Sequence, residues 1–156
     1  MTDTNMDQII RTVYEYLCRN LEHAPIFDEE NREIFFESIA PKSKIVFTEA
    51  GFTTFGLVIP PMGADEENIK EAALFLTYVN YGRKYGNFSL NLEDGEVNIV
   101  VHQNCRGMQN IPDEIIKDTL TFIHTAFFFF TKSIFDILLG FSDAATEIAK
   151  LNGQQE

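Results

Sequence analysis

Apolar and polar residues alternate most clearly between Asn87 and Gln103, where two alternating runs flank the dipeptide Asp94-Gly95. This dipeptide is typical of a two-residue type I′ hairpin turn, which needs positive φ at both central positions. Closing a hairpin there pairs the apolar residues of the two strands on one face: Leu92 with Val97, Leu90 with Ile99, and Phe88 with Val101. The pattern therefore predicts a hairpin with one face packed against a core.

The other face of this hairpin is nearly all polar, and it carries Asn87, Ser89, Asn91, Asn98, Val100 and His102. Such a face meets water or a hydrated partner surface. A two-stranded hairpin is only marginally stable alone, so the rest of the chain must supply further strands and a helix over the apolar face.

Apolar residues recur at spacings of three and four in three other segments, and this spacing predicts three helices. Each segment has a start signal, such as an N-cap side chain or a first-turn proline. The predicted helices are Met6 to Leu21 with Thr4 or Asn5 as N-cap, a second from the cap Asp65 to between Asn80 and Gly86, and a last one that begins near Pro112.

Three strands are predicted between the first two helices, separated by a turn at Asp28–Asn31, the break Ala40-Pro41-Lys42, and a turn at Ala50-Gly51. The strands are about Arg32 to Ile39, Ser43 to Glu49, and Phe52 to Ile59. The register of the hairpin formed by the last two strands stays open, because Ile45, Val46 and Phe47 are consecutive apolar residues and Gly56 suits a bulge.

The element order is helix, three strands, helix, two strands, helix. This order predicts an α+β fold in which a mostly antiparallel five-stranded sheet is packed with helices. At 156 residues the chain is long enough for one domain. We place this domain at residues 1–140 and treat residues 141–156 as a C-terminal tail, frayed from Leu151 onward.

The formal net charge of −12, from 24 acidic and 12 basic residues, repels phosphate backbones. We therefore expect neither nucleic acid nor an anionic membrane as a partner. A basic or amphipathic polypeptide suits this charge better, although the charge also serves solubility alone.

Segments that would direct the chain into or across a membrane are not recognised. The N-terminal residues MTDTNMDQII lack a basic region followed by an apolar core. The most apolar tract, Thr119 to Phe141, is interrupted by His124, Lys132 and Asp136. We therefore expect a cytoplasmic protein.

Catalytic and metal-binding patterns are weak. His102, Cys105 and Arg106 are close in sequence, and a thiol beside a histidine can be activated, but no third orienting group is specified. The three histidines lack a metal-binding spacing such as HExxH, and there is no GxxxxGK[ST] phosphate loop. We expect no cofactor, no metal and no enzymatic activity.

The stretch ALFLTYVNYGRKYGNFSLNLEDGEVNIVV resembles the YbjN-like family of bacterial sensory transduction regulators. The residues that carry the resemblance are Asn80 late in the second helix, Gly86-Asn87-Phe88 at the strand entry, and Glu93–Val97 at the turn. The resemblance extends by element order over about Met6 to Gly140. It implies the type III secretion chaperone-like fold and a regulatory or chaperone-like role, and it brings no catalytic residue.

The last helix carries one long apolar stripe at alternating spacings of four and three: Ile116, Leu120, Ile123, Phe127, Phe130, Ile134 and Ile137 or Leu138. This stripe is predicted to face the core. At about 100° per residue, Ile115, Phe122 and Phe129 fall towards the opposite side. They are covered either within the chain, by the second helix or the tail, or by a homodimer or client protein.

The predicted function is therefore a non-enzymatic protein-binding domain, a regulatory or chaperone-like adaptor that forms a homodimer. Its candidate interaction residues are Ile115, Phe122 and Phe129. The alternative is a small-ligand sensor with an aromatic-lined pocket between sheet and helices, which suits a chain with 15 Phe and 5 Tyr.

Overall fold

The computed structural model describes residues 3–37 and 41–153 of the chain. Within these ranges the chain forms four helices and six strands. In chain order they are α1 (Asp3–Asn20), β1 (Ile26–Asp28), β2 (Glu33–Glu37), β3 (Lys42–Thr48), β4 (Gly51–Ile59), α2 (Glu66–Asn80), β5 (Asn87–Leu90), β6 (Val97–Asn104), α3 (Asp113–Leu138) and α4 (Ala144–Gly153).

The predicted α+β class is confirmed, but the sheet has six strands rather than five in the part of the chain that is described. Its strand order is β1-β2-β3-β4-β6-β5. The additional strand β1 pairs antiparallel with β2, with Ile26 opposite Phe35 and Asp28 opposite Glu33. Its three residues are too few for an alternating pattern, which is why the sequence did not predict it. The predicted end of β2, at Ile39, lies outside the described residues.

The register of the first three predicted strands is now defined by regular pairing. Strand β3 pairs antiparallel with β2 and β4, so that Ile45 stands between Ile34 and Thr54. Gly56 is opposite Ser43 in this ladder and does not form a bulge. The three consecutive apolar residues alternate in burial, since Ile45 and Phe47 are buried and Val46 is half-buried.

The hairpin at Asp94-Gly95 forms, but its turn is longer than predicted. The Asn91 amide donates to the Glu96 carbonyl (2.8 Å), and the Gly95 amide donates to the Asn91 carbonyl (2.9 Å). A type I′ turn needs positive φ at both Asp94 and Gly95. Gly95 has φ 79°, but among the described non-glycine residues only Arg32 has positive φ, so Asp94 does not meet this requirement. Asn91 and Asp94 instead accept hydrogen bonds from the amides of Glu93 and Glu96, which stabilises a four-residue loop.

The longer loop shifts the predicted register by two residues, so that Asn91 pairs with Glu96 and Leu90 falls opposite Val97. A shift of two leaves every side chain on its predicted face. Val97 and Ile99 are buried as expected, and Phe88 is also buried. Leu92 is in the loop and is 66% exposed, which corrects its predicted place on the apolar face.

The chain divides into two compact units, and the first comprises residues 1–56 and 100–125. Its core joins one side of α1 to the strands and the start of α3, and it includes Ile9, Val13, Leu17, Ile34, Ile45, Phe52 and Ile116. The predicted helix α1 is confirmed, but it begins at Asp3, so Thr4 and Asn5 lie inside the helix and are not its N-cap.

The second unit comprises residues 57–99 and 126–156. Its buried side chains include Ile69, Phe75, Leu76, Phe88, Ile99, Phe130, Ile134 and Ile137. The segment treated as a C-terminal tail contains α4, and Leu151 to Gly153, predicted to be frayed, are its last turn. Helix α4 was missed because only two of its ten residues, Ile148 and Leu151, are large and apolar.

Candidate protein-interaction surface

Helix α3 is 26 residues long, and one of its sides is buried along its length. The predicted core stripe is confirmed at Ile116, Ile123, Phe130, Ile134, Ile137 and Leu138, whereas Leu120 and Phe127 are only half-buried. Thr119 and Ala126 are also buried, at 2% and 5% exposure. The centre of the buried side is therefore rotated away from Leu120 and Phe127, towards Thr119 and Ala126.

The three candidate interaction residues have different environments. Phe129 is 56% exposed, whereas Ile115 and Phe122 are half-buried. Ile115 and Phe122 belong to the first unit and Phe129 to the second. Of the three, Phe129 is the one that presents most of its ring to the outside.

The C-terminal half of α3 and the turn after it expose further large apolar side chains that the sequence analysis missed. Together with Phe129 we call them the aromatic surface, which consists of Phe128, Phe129, Phe135, Leu139 and Phe141, with exposures of 63%, 56%, 43%, 37% and 78%. Phe128, Phe135 and Leu139 share one side of the helix by their spacing of seven and four. On a helical projection this exposed side is roughly opposite the buried residues Thr119 and Ala126. Including these two residues in the predicted core stripe would therefore have identified the exposed side.

A groove lies beside Phe129, where the ends of α2 and α4 approach α3 within the second unit. Its volume is about 880 Å³. The wall from α2 and the following turn consists of Tyr78, Val79, Tyr81 and Arg83, and the opposite wall consists of Phe129, Phe130, Leu151 and Asn152. We call it the tyrosine groove. Ile115 and Phe122 do not line it.

Two hydrogen bonds shape the groove at the end of α2. The Tyr78 hydroxyl donates to Asn152 Oδ1 at 2.6 Å, which joins α2 to the last turn of α4. Arg83 Nε donates to the Val79 carbonyl at 2.8 Å, and the guanidinium carbon lies 5.0 Å from the centre of the Phe130 ring. Arg83 therefore covers the C-terminal end of α2 while it stacks on an aromatic ring.

Asn80 holds the turn that carries Arg83. Its side-chain amide donates to the Phe88 carbonyl at 2.9 Å, and its Oδ1 accepts from the Phe88 amide at 2.8 Å. Strand β5 is at the edge of the sheet among the described residues, so no further strand pairs with its outer side. The Asn80 side chain thus satisfies both backbone groups of Phe88 at this edge.

Helix α4 is attached to α2 and α3 by polar contacts. Glu147 is 2% exposed, and its carboxylate accepts hydrogen bonds from Ser133 Oγ and Lys150 Nζ, both at 2.7 Å. Burial disfavours the ionised carboxyl, but these hydrogen bonds outweigh it, so the pKa of Glu147 is lowered from its ordinary value. At the N-terminus of α4, Glu71 accepts from the Ala144 amide at 2.9 Å.

The geometry around Cys105 does not favour nucleophilic chemistry. Cys105 is fully buried, and burial raises the pKa of its thiol. His102 is exposed, and its Nδ1 lies 2.9 Å from Thr53 Oγ1. A buried neutral thiol is a poor nucleophile. Among the described residues no group of three His, Cys, Asp or Glu side chains is placed to hold a metal ion.

Helix α3 contains most of the apolar tract that the sequence analysis considered as a possible membrane span. By length and composition alone it could cross a membrane. A core helix of a globular protein passes the same test, and one side of α3 is buried within the fold. Length and composition of α3 are thus weak evidence for a membrane span.

The fold defines the class of this protein: it is an α+β domain with the type III secretion chaperone-like fold. A chain in the crystal structure of the ExsC-ExsE complex matches it with a TM-score of 0.61 over 81% of this chain and 93% of that chain. The two are 13% identical in sequence, so the match concerns the fold alone. No protein-family model and no curated protein matches the chain. Membership of the YbjN-like family stays a prediction.

Proposed function

We propose that this chain is a non-enzymatic protein-binding domain, a regulatory or chaperone-like adaptor that acts in the cytoplasm as a homodimer. Residues 1–140 form the domain in this proposal, and α4 is an addition to it. The observation that carries the proposal is the aromatic surface together with its neighbour, the tyrosine groove.

The exposed apolar area supports a polypeptide partner. Four phenylalanines and a leucine are exposed within 14 residues, from Phe128 to Phe141. Large apolar side chains that are exposed close together are typical of protein interaction sites, because their burial is favourable. Scattered exposed residues elsewhere, such as Leu92, need no such explanation.

The fold comparison supports the same class of partner. One structure that shares the fold is that of the ExsC-ExsE complex. Since one fold hosts many functions, this likeness raises the expectation of a protein partner without identifying one. We include Ile115, Phe122 and Phe129 as the candidate contact residues, with Phe129 as the one to test first.

The test is purification of the tagged protein from its native cells after gentle crosslinking, followed by mass spectrometry. Phe129→Asp is compared with Leu92→Asp, which introduces the same charge at an exposed apolar residue of the β5–β6 loop. We expect a partner that accompanies the wild type and Leu92→Asp but is lost from Phe129→Asp. Circular dichroism of each variant checks that it is folded.

Two results would contradict the proposal. Recovery of the chain without any other protein, and without its own dimer, would contradict the proposed protein-binding function. A partner retained by a folded Phe129→Asp variant would show that the aromatic surface is not its binding site.

The alternative is a small-ligand sensor, and the tyrosine groove gives it a specific location. Its volume of about 880 Å³ is in the range of small-molecule pockets, roughly 300–1,000 Å³. The groove lies among α2, α3 and α4, whereas the sequence analysis expected a pocket between sheet and helices. Thermal stabilisation of the purified chain by one compound of a metabolite set, lost in Tyr78→Ala, would favour this alternative.

A further inference from the structure

A second groove lies within the first unit, between helix α1 and the segment that contains strand β1. Its volume is about 500 Å³, which is typical of small-molecule pockets. One wall comes from a single side of α1, where residues three and four positions apart are neighbours: Asp7, Ile10, Arg11 and Tyr14. The other wall consists of Phe27, Glu29 and Arg32. We call it the charged groove.

The apolar part of the charged groove consists of Ile10, Tyr14 and Phe27. Ile10 is buried, and the two aromatic residues are half-buried. The centres of their rings lie 6.3 Å apart, with an angle of 48° between the ring planes. Rings tilted in this way present a face and an edge to a third group, so this part of the groove suits a large apolar side chain of a ligand.

Charged side chains of both signs line the rest of the groove, and their formal charges sum to zero. Arg11 and Arg32 are positive, whereas Asp7 and Glu29 are negative. Arg32 Nη2 lies 3.7 Å from Asp7 Oδ1, and this one long ion pair uses few of the five guanidinium N–H donors. The side chains of Arg11 and Glu29 form no ion pair with another described residue.

Two further acidic residues of the turn before β2 do not line the groove. The Asp28 carboxylate accepts hydrogen bonds from the backbone and side-chain amides of Asn31, at 3.1 and 2.9 Å. Glu30 is exposed. A ligand in the charged groove therefore meets two positive and two negative side chains, on a chain whose net charge is −12.

Arg32 has an unusual backbone conformation for its residue type. Its φ is 52°, in the left-handed region that glycine adopts at lower cost. A glycine would therefore make the same turn with less strain. Strained residues of this kind are concentrated at functional sites, where the side chain that they carry is needed. The side chain that Arg32 carries lines the charged groove.

We propose that the charged groove binds a free amino acid with a large apolar side chain. The α-carboxylate pairs with the two arginines, the α-ammonium group pairs with the two carboxylates, and the side chain packs against Tyr14 and Phe27. A purely anionic ligand would meet Asp7 and Glu29, and a purely cationic one would meet the arginines. A zwitterion satisfies both and carries no net charge, so the acidity of the whole chain does not repel it.

This site lies outside the aromatic surface and does not depend on the proposed protein-binding function, so its failure would leave that function untouched. The first test is thermal unfolding of the purified full chain with each of the twenty amino acids at about 10 mM, because a ligand of the folded state raises the midpoint. We expect an increase with one or more of phenylalanine, tyrosine, leucine, isoleucine and methionine, and none with glycine.

Calorimetry of the best amino acid then tests each charge from the side of the ligand. The analogue without the carboxylate and the analogue without the amine should each bind about tenfold or more weakly than the amino acid. These comparisons leave the protein unchanged, so they hold even if a variant fails to fold.

The protein variants are Arg11→Gln and Glu29→Gln, each of which should weaken binding about tenfold or more. Their matched controls are Arg106→Gln and Glu30→Gln, which change exposed residues outside the groove and should leave binding unchanged. Arg32→Gly should also weaken binding, while its unfolding midpoint without ligand does not fall, because glycine adopts this φ with less strain. A lower midpoint would show that Arg32 serves the fold.

Three results would overturn the proposal. The first is an unfolding midpoint that no amino acid raises. The second is an analogue that binds as tightly as the amino acid, since the acid alone would identify an anion site and the amine alone a cation site. The third is binding that Arg11→Gln and Glu29→Gln leave unchanged.

Discussion

Phe75 and Phe129 are both aromatic residues of helices in the second unit, but they have opposite environments. Phe75 is fully buried on α2, and its ring lies 6.5 Å from that of Phe130. Phe129 is 56% exposed on α3. Substitutions at Phe75 therefore test packing of the core, and substitutions at Phe129 test interaction at the surface.

We expect Phe75→Ala to lower the free energy of unfolding by about 3–5 kcal/mol, because it removes buried contacts and leaves a cavity. Phe129→Ala should change it by less than about 1 kcal/mol, since most of the ring is already in water. Urea unfolding followed by circular dichroism measures both. Equal losses for the two variants would show that Phe129 is part of the core.

Asn80 gives a second prediction at this scale. Asn80→Ala removes both hydrogen bonds to the Phe88 backbone. Leaving a part-buried amide and carbonyl without these partners should cost about 1–3 kcal/mol. Asn80→Asp keeps an acceptor for the Phe88 amide and should cost less at neutral pH. Urea unfolding of the three proteins tests this order, and an Asn80→Asp loss larger than that of Asn80→Ala would contradict it.

Helix α4 is attached in part through Glu147, a side chain that is both buried and ionised. The folded-state pKa of Glu147 lies below its ordinary value of 4.5, so the ionised carboxylate stabilises the docked helix above that pH. This stabilisation is lost as the pH falls from about 4.5 through the folded-state pKa. Asp143, which accepts from the Thr146 amide at 2.7 Å, also has a lowered pKa and adds a change of the same sign.

We therefore expect the hydrogen-exchange protection factors of the backbone amides in residues 144–153 to fall below about pH 4.5. The protection factors in the core of α2 and α3 should fall only at lower pH. Glu147→Gln should reduce protection of α4 at neutral pH and weaken its pH dependence, because its neutral amide binds Ser133 and Lys150 less strongly. The conservative control is Lys150→Gln, in which the 57% exposed lysine contributes less. Protection of α4 that is unchanged by Glu147→Gln would show that apolar packing alone holds it.

Strand β4 and helix α3 approach each other closely at Gly56. A Cβ added there would lie 2.6 Å from Ile123 Cγ2 and 3.0 Å from Pro41 Cγ. Gly56→Ala should therefore destabilise the fold by about 1–3 kcal/mol through overpacking. Gly153→Ala is the control, because nothing lies within 4 Å of its added Cβ. The two midpoints of thermal unfolding provide the comparison, and a Gly56→Ala midpoint at or above that of the wild type would show that the strand and helix move apart without cost.

At the scale of the whole molecule, the proposed homodimer is tested by measuring the molecular mass in solution. Light scattering should give about 36 kDa, which is twice the 17.8 kDa of one chain. If the aromatic surface forms the dimer interface, Phe129→Asp should give the monomer mass while Leu92→Asp stays dimeric. A wild-type mass of one chain at micromolar concentration would refute the homodimer.

The class of fold was predictable because the elements that define it are long and strongly patterned. Helices α1, α2 and α3 and strands β3, β4 and β6 each carry enough turns or alternations to be recognised. Strand β1 and helix α4 were missed, since three residues and a short helix rich in alanine carry little pattern. The hairpin turn was wrong because Asn91 and Asp94 side chains stabilise a longer loop, which the dipeptide preference does not include.

The candidate site was predictable only in part. Phe129 was found because helical geometry alone removes it from the core stripe. Phe128, Phe135 and Leu139 were missed, since the direction of the buried side depends on Thr119 and Ala126, which a hydrophobicity pattern does not count as core. The groove could not be predicted from the sequence, because its walls come from three helices that are distant in the chain.

By itself, the sequence determined the α+β class, the order of the main elements, the faces of the hairpin and the core stripe of α3. These follow from periodicity, which is a local property of the chain. Only the tertiary structure decided which side of α3 stays exposed, how α4 is attached, and which residues of α2, α3 and α4 line one groove. Those features depend on which distant segments pack together, and the neighbours of a residue along the chain do not contain that information.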